Sequence, residues 1–164
     1  DAVVLPLREC VLKIERADAY VIACYSDPGL DVCRKATKKP VFGIQESGVL
    51  TALSQGNKFG VIAITDGSIK RHLRYLRRMR VMGRLARERP AGLSVEESAT
   101  GHGTYERLCE VGVQLRDLDG AETIILGCAG MASHRARLEK FLDIPVVDPV
   151  QAATLMAIGA VLLR

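Results

Sequence analysis

Tryptophan is absent from the chain, and four tyrosines and three phenylalanines are its only aromatic residues. Core volume must therefore come from Val, Ile, Leu, Ala and Met. Apolar types make up 48% of the 164 residues, enough for one compact domain or two small lobes with a real core. Long apolar runs are missing as well. None approaches the roughly 20 residues that span a bilayer, and no basic-then-apolar leader precedes the first helical pattern. There is no Cys-x-x-Cys, no Cys-His ligand spacing and no His-x-x-x-His, so neither a structural zinc site nor any other metal is expected.

What is present starts with charge. The net charge is +4, and the positive residues gather between Lys70 and Arg89. A nucleic-acid patch is one reading, but no aromatic interleaving or nucleic-acid motif accompanies it. A solvated amphipathic helix with Leu73 and Leu76 facing inward accounts for the same run. Five cysteines without a leader point to a reducing, cytoplasmic setting. Three of them (Cys10, Cys33, Cys109) lie among apolar residues in helical patterns and read as buried, inert thiols.

The other two are placed differently. Cys24 ends the run Ala19–Cys24 and is followed by Tyr25-Ser26-Asp27-Pro28-Gly29. Cys128 ends the run Thr123–Cys128 and is followed by Ala129-Gly130-Met131. Both runs are rich in β-branched residues and begin after an acidic residue (Asp18, Glu122), the pattern of buried parallel strands. In open α/β sheets the ligand crevice lies beyond the carboxyl ends of the strands. A matched pair of such thiols, one in each half, implies two similar lobes facing one cleft.

The remaining pattern alternates strand and helix. Helices are predicted over 3–15, 29–37, 46–55, 68–79, 103–118, 132–141 and 149–163. Strands are predicted over 19–24, 40–44, 58–65, 122–127 and 144–147, and 80–101 reads as a short strand plus loops. This is an α/β fold of two pseudo-symmetric lobes, each a short, mainly parallel sheet flanked by helices. The lobes divide as 1–56 plus 149–164 and 57–148. The last helix is expected to return to the first lobe.

The segments 17–31, 39–48, 58–65, 122–131 and 144–153 carry a family resemblance in order and spacing. The sequence resembles the aspartate/glutamate/hydantoin racemase superfamily, in its hydantoin and allantoin racemase branch. The resemblance implies a cofactor-independent racemase acting on a small-molecule cyclic ureide, with Cys24 and Cys128 as the acid-base pair and no membrane or nucleic-acid partner. It also implies a homo-oligomer, to which the apolar 46–55 segment is expected to contribute. Members of the family begin with a further strand ending in an Asn-Pro-Asn type loop, which nothing here matches. The chain starts at Asp1 rather than Met, so an N-terminal segment outside this sequence is the expected reason.

Two thiols suit such a reaction. Inverting a carbon needs a base on one face and an acid on the other, exchanging roles in the reverse direction. An ordinary Cys, with a pKa of ~8.5, reaches either state near neutrality. A helix following each cysteine is expected to favour the thiolate. Backbone N–H groups of Tyr25-Ser26 and Ala129-Gly130 are expected to meet the developing oxyanion. The amino-acid racemase branches carry Asn-Thr and Thr after their cysteines. Tyr25-Ser26 and Ala129-Gly130 therefore favour a neutral ring over a free amino acid.

Tyr25, Ser26, Glu46, Thr65, Gly127, Ala129 and Gly130 make up the expected substrate-binding set. For several of them a plainer role stands beside this one. Tyr25 lines the pocket or is a packed aromatic at its edge. Glu46 orients ring N–H groups or sits as a carboxylate in the first turn of a helix. Thr65 lies near the substrate by resemblance, while Ser68 reads as a helix cap. Asp148 braces the cleft or caps the last helix. His72, His102 and His134 occupy no matching catalytic position and read as surface residues. Other thiol acid-base chemistry of the superfamily remains open, as an amino-acid racemase, a decarboxylase or an isomerase. So does a non-catalytic binding or redox-sensing protein.

Overall fold

A computed structural model describes residues 2–14 and 16–164, with only the backbone described at Thr100. Helix α1 (Val4–Lys13) leads into β1 (Tyr20–Ile22), α2 (Leu30–Ala36), β2 (Val41–Gly43) and α3 (Ile44–Leu53). Next come β3 (Phe59–Ala63), α4 (Asp66–Arg78), β4 (Leu85–Pro90), α5 (Val95–Thr100) and α6 (Thr104–Val113). The chain closes with β5 (Thr123–Leu126), α7 (Arg135–Leu142), β6 (Val146–Val147) and α8 (Pro149–Leu162). Strands β1 and β2 form a parallel pair with Tyr20 opposite Val41. The other four form an all-parallel sheet in the order β4-β3-β5-β6.

The apolar runs become strands covered on both faces. Ile62, Ile124 and Leu126 pack with Leu108, Leu115, Leu138 and Leu142 from the α6 and α7 side. Phe59, Val61, Ile125 and Val147 point the other way, against Ile44, Val49, Leu76 and Ala153. This period of two puts every residue of β3 in a core and leaves its C-terminal end to open onto the cleft. Helix α8 packs along α3 and reaches β1 and β2, and α3 also touches β3, β5 and β6.

Three departures from the sequence reading matter for the site. Helices α3 and α4 each begin two residues earlier than their patterns suggested. After Cys128 the chain takes a 3-10 turn, Ala129–His134, before α7 begins. The irregular stretch 80–101 contains a short helix, α5, behind β4. Its start is a reciprocal cap in which Glu97 N–H donates to Ser94 Oγ and Ser94 N–H donates to the Glu97 carboxylate.

Helix α4 is solvated along its basic side, with Leu76 buried and Leu73 half-buried beneath. The segment 46–55 is largely consumed inside the fold. Val49 and Ala52 are buried, and Leu50 is the large apolar side chain of the segment that stays exposed. Among the described residues no helix is long and apolar enough to cross a membrane.

Candidate active site

A cleft of about 270 Å³ opens beyond the carboxyl ends of β1, β3 and β5. Cys24, Tyr25 and Ser26 line it from the turn after β1. Ile64, Ser68, Arg71 and His72 come from the end of β3 and from α4, and Gly127, Cys128, Ala129 and Gly130 from the turn after β5. Both strand-end thiols thus face one space. A larger hollow of about 590 Å³ between Gln55, Glu139, Lys140 and Asp143 holds no thiol and no histidine.

The Cys24 turn is built from its own backbone. Ser26 and Asp27 N–H groups donate to the Cys24 carbonyl at 2.8 and 3.0 Å, and Cys24 Sγ lies 3.6 Å from Ser26 Oγ. No helix follows at once, since α2 starts at Leu30, so the expected helix start behind this thiol is absent. Asp27 anchors the turn instead. Its two carboxylate oxygens accept the N–H groups of Gln45 and Glu46 at 2.9 and 2.8 Å, capping α3 from outside its own sequence.

Burial pushes the Asp27 carboxyl up from 3.8 to about 6, against the pull of those two bonds. A raised pKa in the fold means that the neutral form is the better tolerated one. Its stabilising contribution is complete below 3.8 and is lost as pH rises through about 6. Acidification from pH 7 to 3.5 is therefore expected to raise the stability of the protein relative to Asp27→Asn by about 3 kcal/mol. Urea unfolding of both proteins across that range checks it; parallel curves would sink the assignment.

Cys128 has closer partners. Gly130 N–H donates to Cys128 Sγ at 3.4 Å, and Ser98 Oγ lies 3.6 Å from the sulfur. Ser98 gives its own proton to the Val95 carbonyl at 2.6 Å, so it faces the sulfur as an acceptor. The sulfur therefore has a donor to meet as a thiolate and an acceptor to meet as a thiol. Gly130 permits this approach, because a Cβ there would stand 2.4 Å from Ser98 Oγ.

Gly127 is held more rigidly. A Cβ there would stand 2.5 Å from the Ile62 carbonyl oxygen and 3.2 Å from Ala63 Cα, both backbone atoms of central β3. Gly127→Ala is expected to cost about 2–3 kcal/mol and to displace Cys128. A denaturant midpoint unchanged from wild type would contradict this.

His72 overturns its reading as a surface residue. It is 2% exposed, its Nδ1 is hydrogen-bonded to Glu88 Oε1 on β4, and Tyr25 meets its ring edge-on at 4.9 Å. The signal was available in the sequence: His72 stands one turn before Leu76 and one turn after Ser68, on the inward face. Burial pushes the Glu88 carboxyl up, against the stabilising contact of His72. Tyr25 lines the cleft and is also packed. Its hydroxyl is sealed from solvent and has no hydrogen-bond partner among the described residues, and burial raises its pKa well above the usual phenol value.

Two other expectations need correction. Glu46 does not line the cleft. Its carboxylate is held by Arg34, at 2.6 and 3.2 Å, and by the Tyr75 hydroxyl at 2.7 Å. Burial raises its pKa, but these bonds outweigh burial and hold it below the usual range. Thr65 is exposed outside the cleft as the residue before α4, and its carbonyl accepts the Ser68 hydroxyl at 2.7 Å. Ser68 takes the cleft position instead.

Asp148 caps α8 by accepting Val150 N–H at 2.9 Å. His102 is exposed and His134 half-buried, and neither lines the cleft. Cys33 is buried and Cys109 partly so, but Cys10 is exposed, contrary to its reading as a buried thiol.

The sequence profile for Asp/Glu/hydantoin racemase matches residues 2–157. The chain belongs to the Asp/Glu/hydantoin racemase family. The hydantoin racemase of Paenarthrobacter aurescens is 36% identical over 153 residues, covering 88% of this chain and 64% of that protein. The hydantoin racemase of Pseudomonas sp. (strain NS671) is 40% identical over 148 residues, covering 87% and 58%.

The solved structure of allantoin racemase from Klebsiella pneumoniae superimposes with a TM-score of 0.92 at 30% identity. It covers 99% of this chain and 67% of that one. The chain thus spans 58–64% of the length of these two curated relatives. Within this racemase family member, four buried groups at or behind the cleft escaped the sequence reading: His72, its partner Glu88, Ser98 and the α3-capping Asp27.

Proposed function

We propose that the protein racemises C5 of 5-substituted hydantoins or allantoin, without a cofactor, by proton transfer between two cysteines. The observation that carries the reading is the convergence of Cys24 and Cys128, from the ends of β1 and β5, on one cleft of about 270 Å³. One sulfur, as thiolate, takes the C5 proton, and the electron pair moves onto the adjacent carbonyl oxygen as an enolate. The other sulfur, as thiol, then gives its proton to the opposite face of C5. The two exchange roles for the other enantiomer.

A neutral ring is favoured over a free amino acid. Arg71 is the one permanently charged side chain among the described lining residues, and an amino acid brings both a carboxylate and an ammonium to be matched.

The test is made in D2O with single enantiomers of 5-substituted hydantoins and allantoin. Loss of optical rotation together with deuterium at C5, above the protein-free rate, is the expected result. No C5 deuteration on any of these rings overturns the proposal.

A further inference from the structure

Building on the racemase reading, we infer that His72 supplies the hydrogen-bond donor for the ring carbonyl oxygen that turns negative when C5 is deprotonated. Two of the four loop amides expected in that role are committed elsewhere, and those of Tyr25 and Ala129 remain beside His72. Ser26 N–H donates to the Cys24 carbonyl, and Gly130 N–H donates to Cys128 Sγ. The Ser68 hydroxyl is spent on the Thr65 carbonyl, and the Tyr25 hydroxyl is sealed from solvent. Arg71 reaches the cleft but is exposed, so water keeps its charge hydrated.

His72 lines the same cleft, held from behind. Its Nδ1 is taken by Glu88, and no described residue takes Nε2, which is not among the sealed, unpartnered atoms. Counting protons decides what Nε2 offers. The side chains of the pair are 3% and 1% exposed, and Glu88 Oε2 is buried without a partner. A net negative pair is costly in such surroundings. A net neutral pair has two forms, carboxylic acid with neutral imidazole or carboxylate with imidazolium. Since no described residue accepts from Oε2, the acid proton is placed on Oε1 facing Nδ1, and in both forms Nε2 then carries a hydrogen. His72 therefore presents a donor whichever partner holds the proton.

As the enolate oxygen gains charge, the shared proton shifts from Glu88 toward Nδ1 and strengthens the Nε2–H donor. Nothing is taken from or lost to solvent. The donor is in place before the reaction, which is where electrostatic catalysis gains most. Other ionisable groups near His72 are the Cys24 and Cys128 thiols, the Tyr25 phenol, the Arg71 guanidinium and Asp27, whose charge acts on Tyr25.

The first test needs no turnover. ¹⁵N-histidine-labelled protein at pH 7 is examined by long-range ¹H–¹⁵N correlation, with His72→Asn identifying the signal. Protonated Nε2 is expected; bare Nε2 opposite an Nδ1–H overturns the inference. The second is kinetic. Asparagine keeps an amide near the Nδ1 position for Glu88 but ends short of Nε2, whereas glutamine places an N–H near Nε2. His72→Asn is expected to lower kcat by 10²–10³-fold with KM little changed, and His72→Gln to recover part of it.

A folded His72→Asn that turns over like wild type overturns the inference. So does glutamine faring no better than asparagine. If wild type moves no C5 proton, the carbonyl assignment falls with the racemase reading, and the NMR measurement still decides whether His72 presents a donor.

Discussion

Cys24→Ser and Cys128→Ser are each expected to lower racemisation of a 5-substituted hydantoin by about 10³-fold. Serine keeps the shape of the side chain, but its hydroxyl is far too weak an acid to exist as the alkoxide base near neutrality. The loss should be uneven in kind. With Cys24 replaced, Cys128 still faces the cleft with Gly130 N–H and Ser98 Oγ around it. It can therefore keep removing and returning a proton on its own face. One enantiomer then acquires deuterium at C5 without inverting, and Cys128→Ser should show the same for the opposite enantiomer. NMR of C5 in D2O, read beside optical rotation, separates the two. If either variant inverts the substrate at more than about a tenth of the wild-type rate, the two-thiol mechanism fails.

The part of this site that sequence reveals is the part set by strands. A buried parallel strand shows as a β-branched apolar run, and its carboxyl end opens onto the crevice. The sequence alone therefore puts Cys24 and Cys128 at the crevice. What sequence hides is the phase of a helix. Starting α4 at Asp66 instead of two residues later turns Ser68 into the cleft and leaves Thr65 outside. Glu46 does sit in the first turn of α3, one of its two readings, but its partners Arg34 and Tyr75 are distant in sequence and no local pattern announces them.

His72 was obscured for a related reason. The basic residues of α4 dominate its composition, although only the positions one turn apart from Leu76 say which face is buried. Asp27 carries no such signal. Its partners, Gln45 and Glu46, are distant in sequence, and a turn residue that caps a remote helix looks like any other turn residue. Ser98 lay within reach, because Ser94-x-x-Glu97 is the sequence form of a reciprocal helix cap. The irregular stretch 80–101 therefore contained a legible helix start.

The buried pair of His72 and Glu88 carries the second large expected effect. His72→Leu should destabilise the protein by about 3–5 kcal/mol, because it leaves a carboxylate with no partner in a site sealed from water. Glu88→Leu should cost less, about 1–3 kcal/mol, since what remains is an imidazole lacking one hydrogen bond. The double variant His72→Leu/Glu88→Leu should return close to wild-type stability. Both polar groups are then gone, and leucines can pack against Tyr25 and Leu76.

Urea unfolding of the four proteins at pH 7 measures the coupling directly. Losses that simply add would show that the two residues do not act as a pair. Recovery of stability in the double variant, with turnover still lost, would mean that the pair is kept at a cost to the fold. A histidine and a carboxylate buried behind a thiol cleft contribute little that apolar side chains could not supply, unless a ligand in that cleft requires the hydrogen-bond donor they hold in place.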